Sequence, residues 1–370
     1  MNNASIKTLQ EWGKDAEGVL VCAGPCSAES PAQLLGTAAG LAGRPLTFFR
    51  AGIWKPRTHP GTFEGVGVEA LRWLVEVREQ FGFPVGTEVG TAKHVEAALR
   101  CGLDVVWIGA RTTPNPYAVQ EIAEALKGVD IPVLVKNPVS PDLELWLGAL
   151  ERVQNAGIGR LAAVHRGFCT ASDTRYRNPP LWRLAIELKR RLPKLSLLCD
   201  PSHMCGRADT IFPTAQEALD LLYNGLMVEV HENPAQARSD AAQQLTPAQF
   251  QDLIERLVIP RESGGPPYLA QMRGLRHTID EIDEDIISLL AQRMEVVRQM
   301  VPAKRRHGVA ALQPSRWREI LSSRTSMARR KGLNDEFVAQ LYQLVHEEAI
   351  RVQEESLLAR ETPETDDRGT

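Results

Sequence analysis

The chain has 370 residues, 43% of them apolar, enough for one large or two medium domains with separate cores. A formal net charge of −3 and a pI near 6.3 give no basis for binding nucleic acid or a membrane surface. No apolar run approaches the roughly 18 residues of a membrane span, and the first residues lack the apolar core of a signal peptide. The six cysteines (Cys22, Cys26, Cys101, Cys169, Cys199, Cys205) are scattered, so reduced thiols in a cytoplasmic protein are expected.

From about residue 19 to 231, short apolar or β-branched runs alternate with longer stretches of helical periodicity. The runs are "VLVCAG" at 19, "LTFFRAG" at 46, "PVGTEV" at 84, "VVWIGA" at 105, "PVLVKN" at 132, "LAAVHRG" at 161, "LSLLCDPS" at 195 and "GLMVEVH" at 225. Continuous apolar strands between helices imply a parallel sheet covered by those helices. Eight such units predict a closed α/β fold, the (β/α)8 TIM barrel, over residues 1–258. The competing open, doubly wound sheet predicts a GxGxxG turn after the first run, and "AGPCSAES" is not one.

Each run stops at or near a residue that carries charge or ligates metal: Cys26, Lys55, Glu88, Arg111, Lys136, Arg166, His203 and Glu229. In barrels this end of the strands is the active face. Taken singly, each residue fits a solvated loop or a core position; eight in eight units point to a site. After the second run, Lys55-Pro56-Arg57-Thr58 is either a solvated basic turn or a phosphate cradle, with Pro56 stiffening it and Arg57 offering a planar fork. Arg111, Lys136 and Arg166 add cations from three other units, a charge that suits phosphate or carboxylate ligands. Cys26, His203, Glu229 and Asp240 come from units one, seven and eight, which are neighbours once a barrel closes. Their donor set suits divalent Mn, Co, Fe or Zn, although no short CxxC-like spacing supports it and a core thiol remains the other reading of Cys26.

Beyond residue 245 the pattern changes. "LTPAQFQDLIERLV" reads as a closing helix, and "IPRESGGPPYLAQ" as a linker at 259–270. Residues 271–356 carry only helical signals. Apolar positions at Leu275, Ile279, Ile282, Ile286, Leu289, Leu290 and Val297 mark one long helix, followed by segments near 314–330 and 334–355. Residues 357–370 are polar and are expected to be disordered. Arg293 and Lys304, about three turns apart, share a face of the long helix, whereas Arg276 is rotated away from them. They are either snorkelling surface charges or parts of a ligand site that a second copy completes with its own Arg276.

Together, "GPCSAES", "KPRT", "GTEV", "IGARTTPN", "VKNP", "HRGF", "CDPSH", "VEVH" and "SDAAQQL" make residues 18–258 resemble the type I 3-deoxy-D-arabino-heptulosonate 7-phosphate (DAHP) synthases, in their shorter beta branch. The resemblance implies condensation of phosphoenolpyruvate with erythrose 4-phosphate, the entry step of the shikimate pathway. It implies Cys26, His203, Glu229 and Asp240 as metal ligands, and Arg111, Lys136 and Arg166 as the phosphoenolpyruvate clamp. Lys55 and Glu88 fall near the reacting atoms, Arg57 and Thr58 match positions holding the sugar phosphate, and Arg50 joins the substrate-binding cations. The loop "THPGTFEGVG" departs from the longer Ser-containing version common in relatives.

The segment "LRHTIDEIDEDIISLLAQRMEVVRQMVPAK…QPSRW…LVHEEAIRVQ" resembles the all-helical chorismate mutases over about residues 270–355. The resemblance implies a domain-swapped dimer that converts chorismate to prephenate. Arg276, Arg293 and Arg316 would hold carboxylates, and Lys304 and Gln353 the breaking ether oxygen. Departures stand at Gln313, Trp317 and Ala349, and "RE" recurs at Arg318-Glu319, which leaves the register open by two. Pro302 is expected to kink or end the long helix. With no extra domain seen ahead of the first run, prephenate is expected to inhibit the synthase through the helical domain. The alternatives are a synthase whose helical domain only binds chorismate or prephenate, or only dimerises.

Overall fold

The computed structural model describes residues 6–7, 19–44, 46–56, 61–170, 175–261 and 265–358. The chain divides into two compact units, Met1–Glu262 and Ser263–Thr370. Eight strands build the first: β1 (Leu20–Gly24), β2 (Phe48–Arg50), β3 (Val85–Val89), β4 (Val105–Ile108), β5 (Val133–Lys136), β6 (Leu161–His165), β7 (Ser196–Cys199) and β8 (Gly225–Glu229). Every neighbouring pair is parallel, and β1 closes on β8 from Leu20↔Gly225 to Gly24↔Glu229. The barrel expected from the eight runs is therefore present, with each strand lying within its run.

Among the described residues nine α-helices accompany the strands: α1 (Pro31–Leu41), α2 (Ala70–Phe81), α3 (Ala92–Arg100), α4 (Pro116–Ala125), α5 (Leu143–Asn155), α6 (Trp182–Arg191), α7 (Pro201–Cys205), α8 (Ile211–Asp220) and α9 (Pro247–Arg256). Their starts follow local chemistry. Ser30, Thr91, Asn115, Asp142 and Asp200 each accept from a backbone N–H of the first turn, satisfying a donor the helix cannot. Side chains alternate along each strand, so outward residues such as Val106, Val133 and Leu197 join the layer under the helices. Inward residues Cys22, Phe48, Trp107, Leu134, Ala162, Val164, Leu198 and Met227 fill the barrel.

One step of two residues beyond that apolar layer, the inward positions become charged. Phe48 is followed by Arg50, Leu134 by Lys136, Val164 by Arg166, Leu198 by Asp200 and Met227 by Glu229. The barrel is thus an apolar plug capped by an ionic layer at the C-terminal ends of its strands. Gly24 permits that layer to close: its φ is +145°, and a Cβ there would fall 2.1 Å from the Arg50 carbonyl oxygen.

The second unit contains α10 (Gly265–Arg306), α11 (Pro314–Arg330) and α12 (Asp335–Leu358). Its small core joins Met294, Val297, Val345, Ala349 and Val352. The helix bounds differ from those expected. The long helix begins at Gly265, inside the stretch read as a linker, because prolines are compatible with a helix's first turn. Pro302 does not end the helix, which continues to Arg306; the proline removes one donor within a turn or so of the end, where continuity costs least. The last helix likewise reaches Leu358, two residues into the expected tail, and the rest of that tail lies outside the described residues. No helix among the described residues is long and apolar enough to cross a membrane.

Candidate active sites

The ionic layer is organised around Glu229, fully buried at the end of β8. Its Oε2 accepts from Gln243 Nε2 at 2.7 Å. Its Oε1 accepts no hydrogen bond, and faces Arg50 Nη2 at 3.3 Å and His203 Nε2 at 3.7 Å. Burial alone would raise the Glu229 pKa, but His203, Arg50 and Lys55 more than offset it and hold it below the usual carboxylate range. Arg50 sits over the Trp107 ring at 5.1 Å, so the cation rests on the apolar plug beneath it.

His203 stands one turn beyond β7, on α7, whose first turn is capped by Asp200. Asp200 also lies 2.8 Å from both His203 Nδ1 and Lys136 Nζ, and is fully buried. Against the cost of burial, His203 and Lys136 hold the Asp200 carboxyl well below its ordinary pKa. Burial in turn lowers the His203 pKa, with Asp200 and Glu229 opposing, and the carboxylate behind Nδ1 directs Nε2 at Glu229.

Cys26, fully buried after β1, is fixed by its backbone N–H donating to Gln244 Oε1 at 2.9 Å. Its thiol donates to Asp240 Oδ2 at 3.3 Å and accepts from Lys55 Nζ at 2.8 Å. Burial, then Glu229 and Asp240, pushes the thiol pKa up to about 12, with Lys55 opposing. Asp240 adopts a left-handed backbone, φ +49°, which Asp tolerates better than most residues. Its Oδ1 takes a 2.8 Å bond from Arg177 Nη1, which also donates to Gln243 Oε1 at 2.8 Å.

The four residues expected to ligate a metal thus stand as two contacting pairs, Cys26 with Asp240 and His203 with Glu229. Among the described residues no group of three or more His, Cys, Asp or Glu is arranged as a ready ion cage. The donor set nevertheless fits a divalent ion: one buried carboxylate oxygen has no hydrogen bond, and an imidazole nitrogen stands 3.7 Å from it. The buried thiol gains its thiolate form when a cation replaces its proton.

Around these pairs stand the cations. Lys136 is buried at the end of β5, and Thr113 Oγ1 fixes its carbonyl at 2.7 Å. Arg166 follows β6, its backbone N–H held by Asn137 Oδ1 at 2.7 Å. Burial lowers the Arg166 pKa to about 10, with Arg177 and Arg111 adding to that and Asp200 opposing. Arg111 is exposed in the turn after β4. Glu88, at the end of β3, accepts from Trp107 Nε1 at 3.0 Å, and a Cβ at Gly109 would meet its carboxylate at 2.1 Å. Arg57 and Thr58 lie outside the described residues. Sequence reading missed Asp200, Arg177, Gln243 and Gln244. Asp200 was visible in the two-residue step from Leu198; the others sit in loops with no period to mark them.

In the helical unit, Lys304 Nζ donates to Gln353 Oε1 at 2.8 Å and to the Ala311 carbonyl at 2.9 Å. Arg293 Nη1 reaches the Val345 carbonyl at 3.4 Å. These three expected residues therefore gather between α10 and α12. Arg316 does not join them: it pairs with Glu319 on its own helix at 2.7 Å, both exposed. Arg276 is exposed on α10. Trp317 stacks on His346, a neighbour that sequence reading did not single out.

A (β/α)8 barrel with ligating and cationic side chains at the C-terminal ends of its strands, followed by a three-helix unit with its own cation cluster, defines a two-domain enzyme acting on anionic substrates. Residues 3–258 match the DAHP synthetase I family and residues 275–354 match chorismate mutase type II. The chain belongs to the DAHP synthetase I family and carries a chorismate mutase type II domain after the barrel. It is a DAHP synthase and a chorismate mutase, a transferase and an isomerase of aromatic biosynthesis.

Similar proteins include a phospho-2-dehydro-3-deoxyheptonate aldolase of Thermotoga maritima, 30% identical over 237 residues, 64% of this chain and 68% of that one. A 2-dehydro-3-deoxyphosphooctonate aldolase of Koribacter versatilis is 26% identical over 270 residues, 67% of this chain and 93% of that one. A 4-amino-4-deoxychorismate mutase of Streptomyces venezuelae is 28% identical over 98 residues, 26% of this chain and 94% of that one. The crystal structure of the Thermotoga maritima aldolase (DAHP synthase) superposes with a TM-score of 0.57 at 28% identity, covering 65% of this chain and 70% of that one.

Proposed function

We propose that the barrel condenses phosphoenolpyruvate with D-erythrose 4-phosphate to DAHP and phosphate with the help of a divalent ion, and that the helical domain rearranges chorismate to prephenate. The observation carrying the first reading is the ionic layer itself: Lys136, Arg166 and Arg111 come from successive strand ends on the face that also carries Cys26, His203, Glu229 and Asp240. Lys136, Arg166 and Arg111 hold the carboxylate and phosphate of phosphoenolpyruvate, and Arg57 and Thr58 hold the sugar phosphate. Binding both anions in one cationic mouth overcomes their mutual repulsion and sets the enol carbon against the aldehyde. Cys26, His203, Glu229 and Asp240 would hold Mn, Co, Fe or Zn, which supplies Lewis acidity toward the aldehyde oxygen. Lys55, hydrogen-bonded to the Cys26 thiol, hands a proton to the new alkoxide. Glu88 lies near the reacting carbons. Water adds at C2, and phosphate leaves.

In the helical domain no covalent catalyst is needed. Arg293, with Arg276 from a second copy and Arg316, fixes the two carboxylates, while Lys304 and Gln353 stabilise charge growing on the ether oxygen. The exposed apolar row Leu275, Ile279, Ile282 and Ile286 on α10 supports a homodimer, or a higher homo-oligomer, built through this domain. Prephenate is the proposed feedback ligand of the synthase; an unchanged synthase rate across a prephenate titration would remove that role.

Phosphoenolpyruvate consumption by the purified protein, with and without a chelator, tests the barrel. Loss on chelation and recovery with Mn is expected, with Cys26→Ala lowering the rate at least about 100-fold. Full activity in Cys26→Ala would defeat the ligand set. Chorismate consumption tests the second domain: turnover should vanish in Arg293→Ala.

A further inference from the structure

Among the described residues of the helical unit, one buried side-chain nitrogen or oxygen makes no hydrogen bond: Nε2 of His346. The imidazole lies flat on the indole of Trp317, with ring centroids 4.4 Å apart and planes 9° from parallel. It lies on α12 between the residues that take the bonds of the cation cluster. The adjacent Val345 carbonyl takes the bond from Arg293, and Gln353, two turns further along α12, takes the bond from Lys304. Residues 346, 349 and 353 are spaced three and four apart and so share one face of α12. Burial first, then the charges of Arg293 and Lys304, lowers the His346 pKa against a smaller opposing pull from Glu347. The ring is therefore uncharged at neutral pH.

Chorismate asks for four contacts: two carboxylates, an ether oxygen and a ring hydroxyl. Arginines suit the carboxylates, and the Lys304–Gln353 pair suits the ether oxygen. The hydroxyl still needs a partner. At 313, 317 and 349 stand Gln, Trp and Ala, none of them acidic. Glu319 is exposed and already paired with Arg316.

We propose that His346, backed by Trp317, is a specificity-determining residue of the mutase site: Nε2 exchanges a hydrogen bond with the ring hydroxyl of chorismate, and the pair selects a hydroxyl over an amine at that carbon. The proposal rests on the mutase reading above. A hydroxyl both donates and accepts, so it matches either tautomer of the imidazole. A protonated amine only donates, and it would bring a third positive charge beside Arg293 and Lys304 with no carboxylate to meet it. The competing compound is a real one for this fold, since a relative is named a 4-amino-4-deoxychorismate mutase.

The test compares kcat/KM for chorismate and for 4-amino-4-deoxychorismate in the full-length wild type, His346→Leu, His346→Gln and His346→Glu. The wild type should favour chorismate. His346→Leu keeps the bulk but loses the polar atom, and should lower kcat/KM for chorismate about 10-fold, mostly through KM, the size of one lost hydrogen bond. His346→Gln restores a neutral donor and acceptor and should recover part of that loss. His346→Glu supplies the missing carboxylate and should move the substrate ratio toward the amine by about 10-fold or more. If wild type turns over chorismate and the substrate ratio stays the same across the variants, this proposal is overturned alone. If wild type turns over neither compound, the mutase reading falls and takes the proposal with it. A Leu variant that does not fold leaves the Gln and Glu ratios to decide.

Discussion

Glu229 shows how one side chain ties the barrel's charged residues together. It meets Arg50 and His203 on one oxygen and Gln243 on the other, with no exposed surface. Removing a partner leaves a buried charge uncompensated. Arg50→Met should therefore destabilise the barrel by about 3–5 kcal/mol in urea unfolding, far more than a surface ion pair would. An unchanged midpoint would show that Glu229 is satisfied without Arg50. His165 offers a second test. It points out of the barrel, bonds Tyr223 at 2.7 Å through Nδ1 and packs against Trp146, Phe168 and Trp182. Burial drives its pKa down to about 3, with a contact to the Pro180 backbone opposing. The unfolded chain takes up a proton near pH 6.5, and the folded chain does not until about pH 3. Stability from this residue is complete above the first value and declines as the pH falls toward the second. The slope is at most about 1.4 kcal/mol per pH unit. His165→Gln should flatten the fall of the melting temperature between pH 6.5 and 4 relative to wild type; an identical slope would assign the acid sensitivity elsewhere.

At the level of elements, the strands were legible because each carries a continuous apolar run, and eight such runs leave few architectures open. Active-face residues were legible where the run ended in charge, as at Lys136 and Glu229. Asp200 was hard to single out because it stands between β7 and the short helix it caps, where an N-cap carboxylate has an ordinary structural role. Arg177 and Gln243 sit in irregular segments, where only three-dimensional closure reveals their partners. The long helix was foreseen, but its reach through Pro302 was not, since the penalty for a proline depends on how many turns remain beyond it. Pro302→Ala should stabilise the helical unit by about 1–3 kcal/mol, read as a higher melting temperature in circular dichroism. A lower value would mean that the proline restrains the unfolded chain more than it strains the helix.

At the scale of the whole molecule, the helical unit has a core of few residues and a large exposed apolar face. Leu275, Ile279, Ile282, Ile286, Ile287 and Leu289 are all about half exposed or more on α10. Sedimentation should show a dimer or larger assembly, and Ile282→Lys with Ile286→Lys should shift it toward monomer and reduce chorismate turnover while leaving the synthase rate largely intact. A monomeric wild type would remove the shared-site reading of Arg276. The closure of the barrel has a consequence for biosynthesis. β1 pairs with β8 along its whole length, so Cys26 meets Asp240 only after more than two hundred further residues have been added. A nascent chain on the ribosome holds the thiol and Lys55 early, but neither Glu229 nor Asp240 to complete the set. If the proposed ligand set holds a metal, its capture would be deferred until the last strand and the loop to Asp240 have emerged, and a truncated translation product should pass through a metal-affinity column unretained by this site.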